Sequence, residues 1–390
     1  MRFLTLLIAV VLTIDSVNSM EPIVELPPSL YKAGADGVTP AVNKIPSRLD
    51  YVYRAGEEKY KFCHHPCLIE FKGLLYCAWS NGRVGEDEPG QRLVIASSKD
   101  ARSWTETQPL LTAQQVGKYE KHVFVASGLL LWQEKLVAFY TITPGKNFHE
   151  ETALYFSESS DGKAWSDPHR ITSGFYINPP VVLSNSRLMM GGEYVSETER
   201  KKRRSKLIYH DGGSLTAGWT ETKIDEGDLA RIGYAEPNFI QRECDVLGFF
   251  RNYTGHLLVS RSTDRGQNWS ALMDSGIPDS TARFATGNLP GGQRYLIGNS
   301  LHKKFDRRAL LISISDDQGA SFDRCFILRD EPAVKKFPGQ HKMDGWQYPH
   351  GYVWKNLLLV VHSVNKEDVA ISAVKLKDLQ TVKRISVIDE

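Results

Sequence analysis

The sequence predicts an all-β protein, a six-bladed β-propeller, and three observations lead there. The first is a turn motif, Ser262-Thr263-Asp264-Arg265-Gly266-Gln267-Asn268-Trp269, with a weaker copy at Ser315 to Phe322 and shortened copies at Ser159 to Trp165 and Ser98 to Trp104. The second is its period: the anchoring aromatics Trp104, Trp165, Trp219, Trp269 and Phe322 stand roughly 50 to 60 residues apart, the spacing of a repeat architecture. The third is the text between the copies, short apolar or alternating runs broken by turn residues, with almost no helical periodicity. Six such units, each of three or four strands, bury their faces against one another when closed into a ring, and closure removes most exposed edges.

The turn itself has a physical reading. Ser and Asp side chains accept hydrogen bonds from nearby backbone N–H groups, Gly supplies a positive φ, and the aromatic is a large apolar plug. Asp211-Gly212-Gly213 ahead of Trp219 reads as a degenerate fifth copy.

The chain has 390 residues and a formal charge of +2, near balance, so nothing in the totals calls for nucleic acid or a membrane surface. Met1-Arg2-Phe3, the apolar run Leu4 to Ile14 and the small-residue end Val17-Asn18-Ser19 read as a signal peptide over 1–19, so a secreted or periplasmic protein is expected. No later segment approaches the ~20 apolar residues of a membrane span. Residues 20–47, with Pro27, Pro28, Pro40 and Pro46, read as an extended leader over the surface, and 48–390 as the propeller domain. The five cysteines are too few for a disulfide framework, with at most one or two bridges expected. Cys63-His64-His65-Pro66-Cys67 invites a zinc reading, but no second ligand pair follows, and buried thiols in a strand are preferred.

Leu49 to Arg54 is a short strand placed to complete the last blade. The units then run Tyr60 to Glu106, Lys118 to Asp167, Arg170 to Thr222, Tyr234 to Trp269, Thr281 to Phe322, and Trp346 to about Val387, the last without a turn motif. The basic run Arg200 to Arg204 reads as a solvated hairpin tip. Asn252-Tyr253-Thr254 and Asn268-Trp269-Ser270 match glycosylation acceptors.

A propeller with Ser-x-Asp-x-Gly-x-x-Trp turns resembles the sialidase superfamily, whose turns of this kind are called Asp boxes. The resemblance covers the chain from about Tyr60 onward and implies that Asp100, Asp161, Asp264 and Asp317 are scaffold. It implies an exo-glycosidase acting on a glycan with retention through a tyrosine nucleophile, because a carboxylate nucleophile would be repelled by the substrate's own carboxylate. A Glu serves as the base, arginines hold the carboxylate, and an acid protonates the leaving oxygen.

By that resemblance Tyr348, in Trp346-Gln347-Tyr348-Pro349-His350, is the candidate nucleophile, with a packed wall aromatic as the alternative. Glu236, in Tyr234-Ala235-Glu236-Pro237, is the candidate base and Arg251 a carboxylate-binding residue; the bland alternative has Glu236 capping a strand and Arg251 paired with Asp245. Arg307, eight residues before the box residue Ser315, is a second carboxylate-binding candidate, with Arg308 on the opposite strand face. Arg283 is a further candidate for the cationic wall. The loop Asn81 to Gly90 offers Asp87 as proton donor with Arg83 beside it, or is a solvated acidic tip.

The sequence departs from the family at the start of the first blade, where Arg-Ile-Pro is the pattern and His64-His65-Pro66 stands here. A neutral imidazole cannot make the two parallel bonds of a guanidinium, so His64 alters the substrate-binding set. It leaves open a different acidic or neutral sugar, a His64 that sits protonated beside the substrate, or a polysaccharide lyase in which a His or Tyr takes a proton beside a uronate; a non-catalytic carbohydrate-binding propeller is the reading from another class. None of these readings calls for a cofactor or a metal, and a monomer is expected.

Overall fold

The computed structural model describes residues 21–145, 149–202, 204–227 and 232–380; the expected signal peptide lies outside them. Six antiparallel sheets form six blades around a central axis. From the inner strand outward, blade 1 is Phe62–Phe71, Leu74–Gly82, Arg92–Ser98 and Gln108–Pro109, and blade 2 is Val123–Trp132, Lys135–Thr143, Ala153–Ser159 and His169–Ser173. Blade 3 splits its inner position between Phe175–Tyr176 and Val181–Val182, followed by Leu188–Glu193, Ser205–His210 and Trp219–Thr222. Blade 4 is Asn238–Gln241, Val246–Phe250, His256–Ser262 and Met273–Pro278; blade 5 is Ala285–Asn288, Arg294–Gly298, Leu310–Ser315 and Arg324–Arg329. Blade 6 comprises Trp346–Trp354, Leu357–Val364 and Asp368–Lys375, and its outer strand is Arg48–Tyr53, paired antiparallel from Arg48 opposite Ala373. The ring is therefore closed by an early strand on the last blade, as the sequence predicts.

The boxes sit between the third and fourth strands of their blades. In each, a Ser hydroxyl donates to the Asp carboxylate while that carboxylate accepts from backbone N–H groups: Asp100 from Arg102 and Ser103 (2.8 Å each), and Asp264 from Gln267 (3.0 Å) and Asn268 (2.8 Å). Backbone N–H donors hold Asp100 and Asp161 down at about 2. The shortened boxes turn on one left-handed residue, Ala101 or Gly162, whereas the full-length boxes use two, Arg265-Gly266 and Gln318-Gly319. The extra residue is thus absorbed by one more positive φ. Blade 3 differs: Asp211 pairs with Arg187 instead, and the turn is organised by His210, whose Nδ1 accepts from Gly212 N (3.2 Å).

Each box aromatic packs into the seam between its own blade and the preceding one. Trp104 joins blades 6 and 1, Trp165 joins 1 and 2, Trp219 joins 2 and 3, Trp269 joins 3 and 4, and Phe322 joins 4 and 5. The seam between blades 5 and 6 has no box. It is filled by Ile45 from the leader and Leu379 from the short helix Leu376–Gln380.

Two expectations change. The leader does not simply run over the surface: Val24, Leu30 and Tyr31 are buried against blades 4 and 5, and the Tyr31 hydroxyl bonds Ser313 Oγ at 2.7 Å. The basic run is not a plain hairpin tip, because Glu197–Lys202 forms a helix between two strands of blade 3. Asn252 is fully buried with its amide bonded to His256 O, so it is not placed to accept a glycan, whereas Asn268 is exposed. All five cysteines are free; Cys63, Cys67, Cys77 and Cys325 are buried. No helix among the described residues is long and apolar enough to cross a membrane.

The seam plugs set a testable energy. Phe322 is completely buried, so Phe322→Ala is expected to cost about 3–5 kcal/mol of stability in chemical denaturation, the range for deleting a buried aromatic. A loss below about 1 kcal/mol would remove the plug role.

Candidate active site

A cavity of about 890 Å³ opens where the inner strands converge, lined by residues from blades 1, 3, 4, 5 and 6. It gathers His64, Asp87, Glu236, Arg251, Arg307 and Tyr348, six of the residues singled out in the sequence. No box aspartate lines it.

The local backbone explains why these side chains face inward. The inner strands of blades 1 and 6 each carry a bulge, between His64 and Cys67 and between Gln347 and His350. A bulge places two residues opposite one and re-aims the side chain between regular pairs. Within these bulges His65 (φ 49°) and Tyr348 (φ 57°) are left-handed, and each precedes a proline; Glu236 (φ 39°), before Pro237, is the third such residue. A left-handed non-glycine residue costs of order 1–3 kcal/mol, and a following proline restricts it further. Neighbours hold this strain in place. Arg283 Nη1 donates to Pro349 O (3.0 Å) and its Nε to Asn178 Oδ1 (2.7 Å), while Asn178 Nδ2 donates to Glu236 O (3.0 Å) and Pro237 O (3.1 Å). The turn segments that carry Tyr348 and Glu236 are thereby tied together from below.

Arg283 is therefore not a wall residue. Its guanidinium is buried beneath the cavity, bonded to Pro349 O and Asn178 Oδ1, and does not line it, which corrects the expectation that it meets substrate. Arg83 is also misplaced by the sequence reading: it is exposed and does not line the cavity, because the loop after Gly82 turns its side chain out while Glu86, Asp87 and Glu88 turn in.

Glu236 and Arg251 are both buried and joined, Arg251 Nη1 to Glu236 Oε2 at 2.6 Å. Asp245, the alternative partner for Arg251, is instead held by Arg242 and Arg261. Burial pushes the Arg251 guanidinium down, but the Glu236 carboxylate outweighs it and the net shift is upward. Arg307 donates to Ser280 Oγ (2.8 Å), Ser280 O (3.2 Å) and Thr281 O (2.7 Å), and burial brings it to about 10, still charged at neutral pH. Gly345 makes room for this arginine, since a Cβ there would lie 2.0 Å from Arg307 O, and Trp346 N donates to that oxygen at 2.8 Å. Arg308 points away and pairs with Asp306 and Asp36.

Asp87 is raised to about 7, first by burial and then by the neighbouring Glu86 carboxylate, and Gln91 Nε2 donates to its Oδ1 at 3.3 Å. It is thus a carboxyl poised to hold a proton near neutrality. His64 and His65 are each 3% exposed, with ring centroids 3.5 Å apart, and the His64 ring meets Tyr348 edge-on at 4.0 Å. Burial pushes both imidazoles well down, and the adjacent cations push the same way, so they are neutral. Both ring nitrogens of His64 and Nδ1 of His65 are buried without a hydrogen-bond partner; Glu86 Oε1 stands 3.3 Å from His64 Nδ1 but out of line for a bond. His350 lies under the wall, its Nδ1 accepting from Leu68 N (3.3 Å) and its Nε2 3.5 Å from Cys67 Sγ. Cys63 and Cys67 belong to strand packing there, Cys63 Sγ accepting from Asn81 Nδ2 and Cys67 Sγ from Leu129 N.

Sequence reasoning missed Lys366, which lines the cavity from the turn after Leu357–Val364, and passed over Glu86 and His65. A lysine in a three-residue turn between strands gives no sequence signal that it faces inward. Glu193, behind Glu236, was also missed; burial first and Glu236 second raise it to about 8.

The fold is shared with several solved structures. A protein of unknown function from Dyadobacter fermentans is 16% identical with a TM-score of 0.63, over 86% of this chain and 100% of that one. Trypanosoma rangeli sialidase in complex with sialic acid is 15% identical with a TM-score of 0.62, over 87% of this chain and 60% of that one. A further sialidase is 17% identical with a TM-score of 0.60, over 86% of this chain and 33% of its own, so this chain spans only part of the length of these sialidases. No curated protein matches the sequence. The family model described as BNR repeat-like domain matches residues 73–361, most of the propeller, and the chain belongs to that family.

Proposed function

We propose that the protein is an exported, sialidase-like glycoside hydrolase that removes a terminal acidic sugar from a glycan with retention. The observation that carries this reading is the convergence of Tyr348, Glu236, Asp87, Arg251 and Arg307 from four blades onto one cavity. The trypanosomal sialidase solved with sialic acid, which has the same fold, supports a sugar acid as the ligand.

In the first step the Tyr348 oxygen bonds the anomeric carbon and the glycosidic C–O bond breaks. Asp87 gives its proton to the leaving oxygen, and the Tyr348 proton passes to Glu236. Arg251 occupies Glu236 Oε2, which leaves Oε1 as the proton acceptor. In the second step water replaces Tyr348 at the anomeric carbon, its proton going to the Asp87 carboxylate, while the tyrosinate recovers a proton from Glu236. Arg251 and Arg307 hold the sugar carboxylate throughout.

One observation favours a second reading. His64 is neutral and edge-on to Tyr348, while Glu236 is engaged by Arg251; this pairing suits proton abstraction beside a uronate, as in a lyase. The products separate the two. Hydrolysis adds water across the cleaved bond, and elimination leaves an unsaturated uronate absorbing in the near ultraviolet.

Mass spectrometry of products from a panel of sialosides, uronides and neutral glycosides is expected to show addition of water, with Tyr348→Phe inactive; undiminished turnover in that variant would exclude Tyr348 as the nucleophile. Because Asp87 acts in its protonated form, kcat/KM is expected to fall as pH rises through about 7. Asp87→Asn is expected to lose ~100-fold or more in kcat on substrates with poor leaving groups and to abolish that basic limb. A limb that persists in Asp87→Asn assigns the titration to another group.

A further inference from the structure

We propose that Lys366 is a substrate-binding residue, the third cation of the subsite for the sugar carboxylate, filling the charge that neutral His64 does not supply. This deepens the reading above and rests on it.

The charges of the cavity are unevenly paired. Three permanently charged cations line it, Arg251, Arg307 and Lys366. Arg251 is matched by Glu236 and Lys366 by Glu86, whose Oε2 lies 2.6 Å from Lys366 Nζ, but Arg307 bonds only neutral groups. With Asp87 holding a proton, the lining carboxylates Glu86, Glu88 and Glu236 balance the three cations in number, but Arg307 has no carboxylate bonded to it, and an anionic ligand beside Lys366 and Arg307 supplies one.

Lys366 is itself built into the wall. Its side chain is 3% exposed, and of its three ammonium donors one is used, by Glu86, among the described residues. Burial pushes the ammonium down, but Glu86 outweighs this and keeps it charged. Its Nζ stands 5.1 Å from the centroid of the Tyr348 ring, beside the reacting group proposed above. The backbone fixes it there. Asn365 and Lys366 are both left-handed (φ 58° and 57°), Lys366 O accepts from Cys63 N at 2.8 Å, and Gly345 N donates to Asn365 Oδ1 at 2.8 Å. The Cys63 bond places the lysine next to His64, whose ring meets Tyr348 edge-on.

A lysine recognises charge as a point, without the two-pronged geometry of arginine. The subsite is therefore expected to accept carboxylated sugars differing in the orientation of the acid group, and to discriminate against uncharged counterparts.

The test is titration calorimetry of the full chain with N-acetylneuraminic, glucuronic and galacturonic acids and with their uncharged methyl esters. Wild type is expected to bind at least one acid in preference to its ester. Lys366→Met is expected to weaken that acid about 10-fold or more with little change for the ester, and Lys366→Arg to keep most of the preference. Unchanged acid affinity in Lys366→Met, with a melting temperature matching wild type, overturns the proposal and leaves the sugar-acid reading standing. Absence of any acid preference in wild type overturns that reading and the proposal together. If Lys366→Met does not fold, Lys366→Gln makes the same comparison.

Discussion

The structure depends on filling six seams between flat, twisted sheets. Each blade buries both faces, so any seam left loose would expose apolar surface along its whole length. Five seams are filled by an aromatic delivered from a hydrogen-bonded turn; four of these turns satisfy backbone N–H groups on one Asp carboxylate, and in blade 3 His210 accepts in its place. Stable seams let the inner strands approach the axis, where side chains from different blades meet. The boxes are thus remote from the cavity and yet responsible for its existence.

At the cavity the balance of forces reverses. His65, Asp87, Glu236, Phe305, Tyr348 and Lys366 all line it with positive φ, an expense that packing elsewhere must offset. Buried imidazole nitrogens go unpaired, and like charges face one another. The Arg283–Asn178 bridge shows how such an arrangement persists: a cation withdrawn from the surface ties two strained turns together through their carbonyl oxygens.

Much of this was legible in the sequence. The box spacing counted the blades, and the eight residues back from Ser315 located Arg307; Glu236, Arg251 and Tyr348 came from the family resemblance of the segments that carry them. What was not legible depended on direction. Arg283 and Arg307 are both arginines near strand starts, and only the three-dimensional path of the chain sends one under the floor and the other to the wall. Arg83 and Lys366 exchange roles for the same reason, since which way a loop or turn residue faces is set by contacts with a distant blade, such as Lys366 O with Cys63 N. The leader was misjudged because its proline content signals an extended path but not what that path lies against; Val24, Leu30 and Tyr31 were apolar cues that only the facing blades give meaning.

The early strand on blade 6 has a consequence for biogenesis. His64, Glu86 and Asp87 belong to the first blade made, and Tyr348 and Lys366 to the last, so the cavity straddles the junction where the two ends of the chain meet. Blades 2 to 5 can be complete on a growing chain while this junction is still open. A molecule halted at that stage would have most of its sheets but a site still lacking Tyr348 and Lys366 and open between blades 1 and 6, so ligand recognition reports on the final zipping of the ring and not on the content of β-structure.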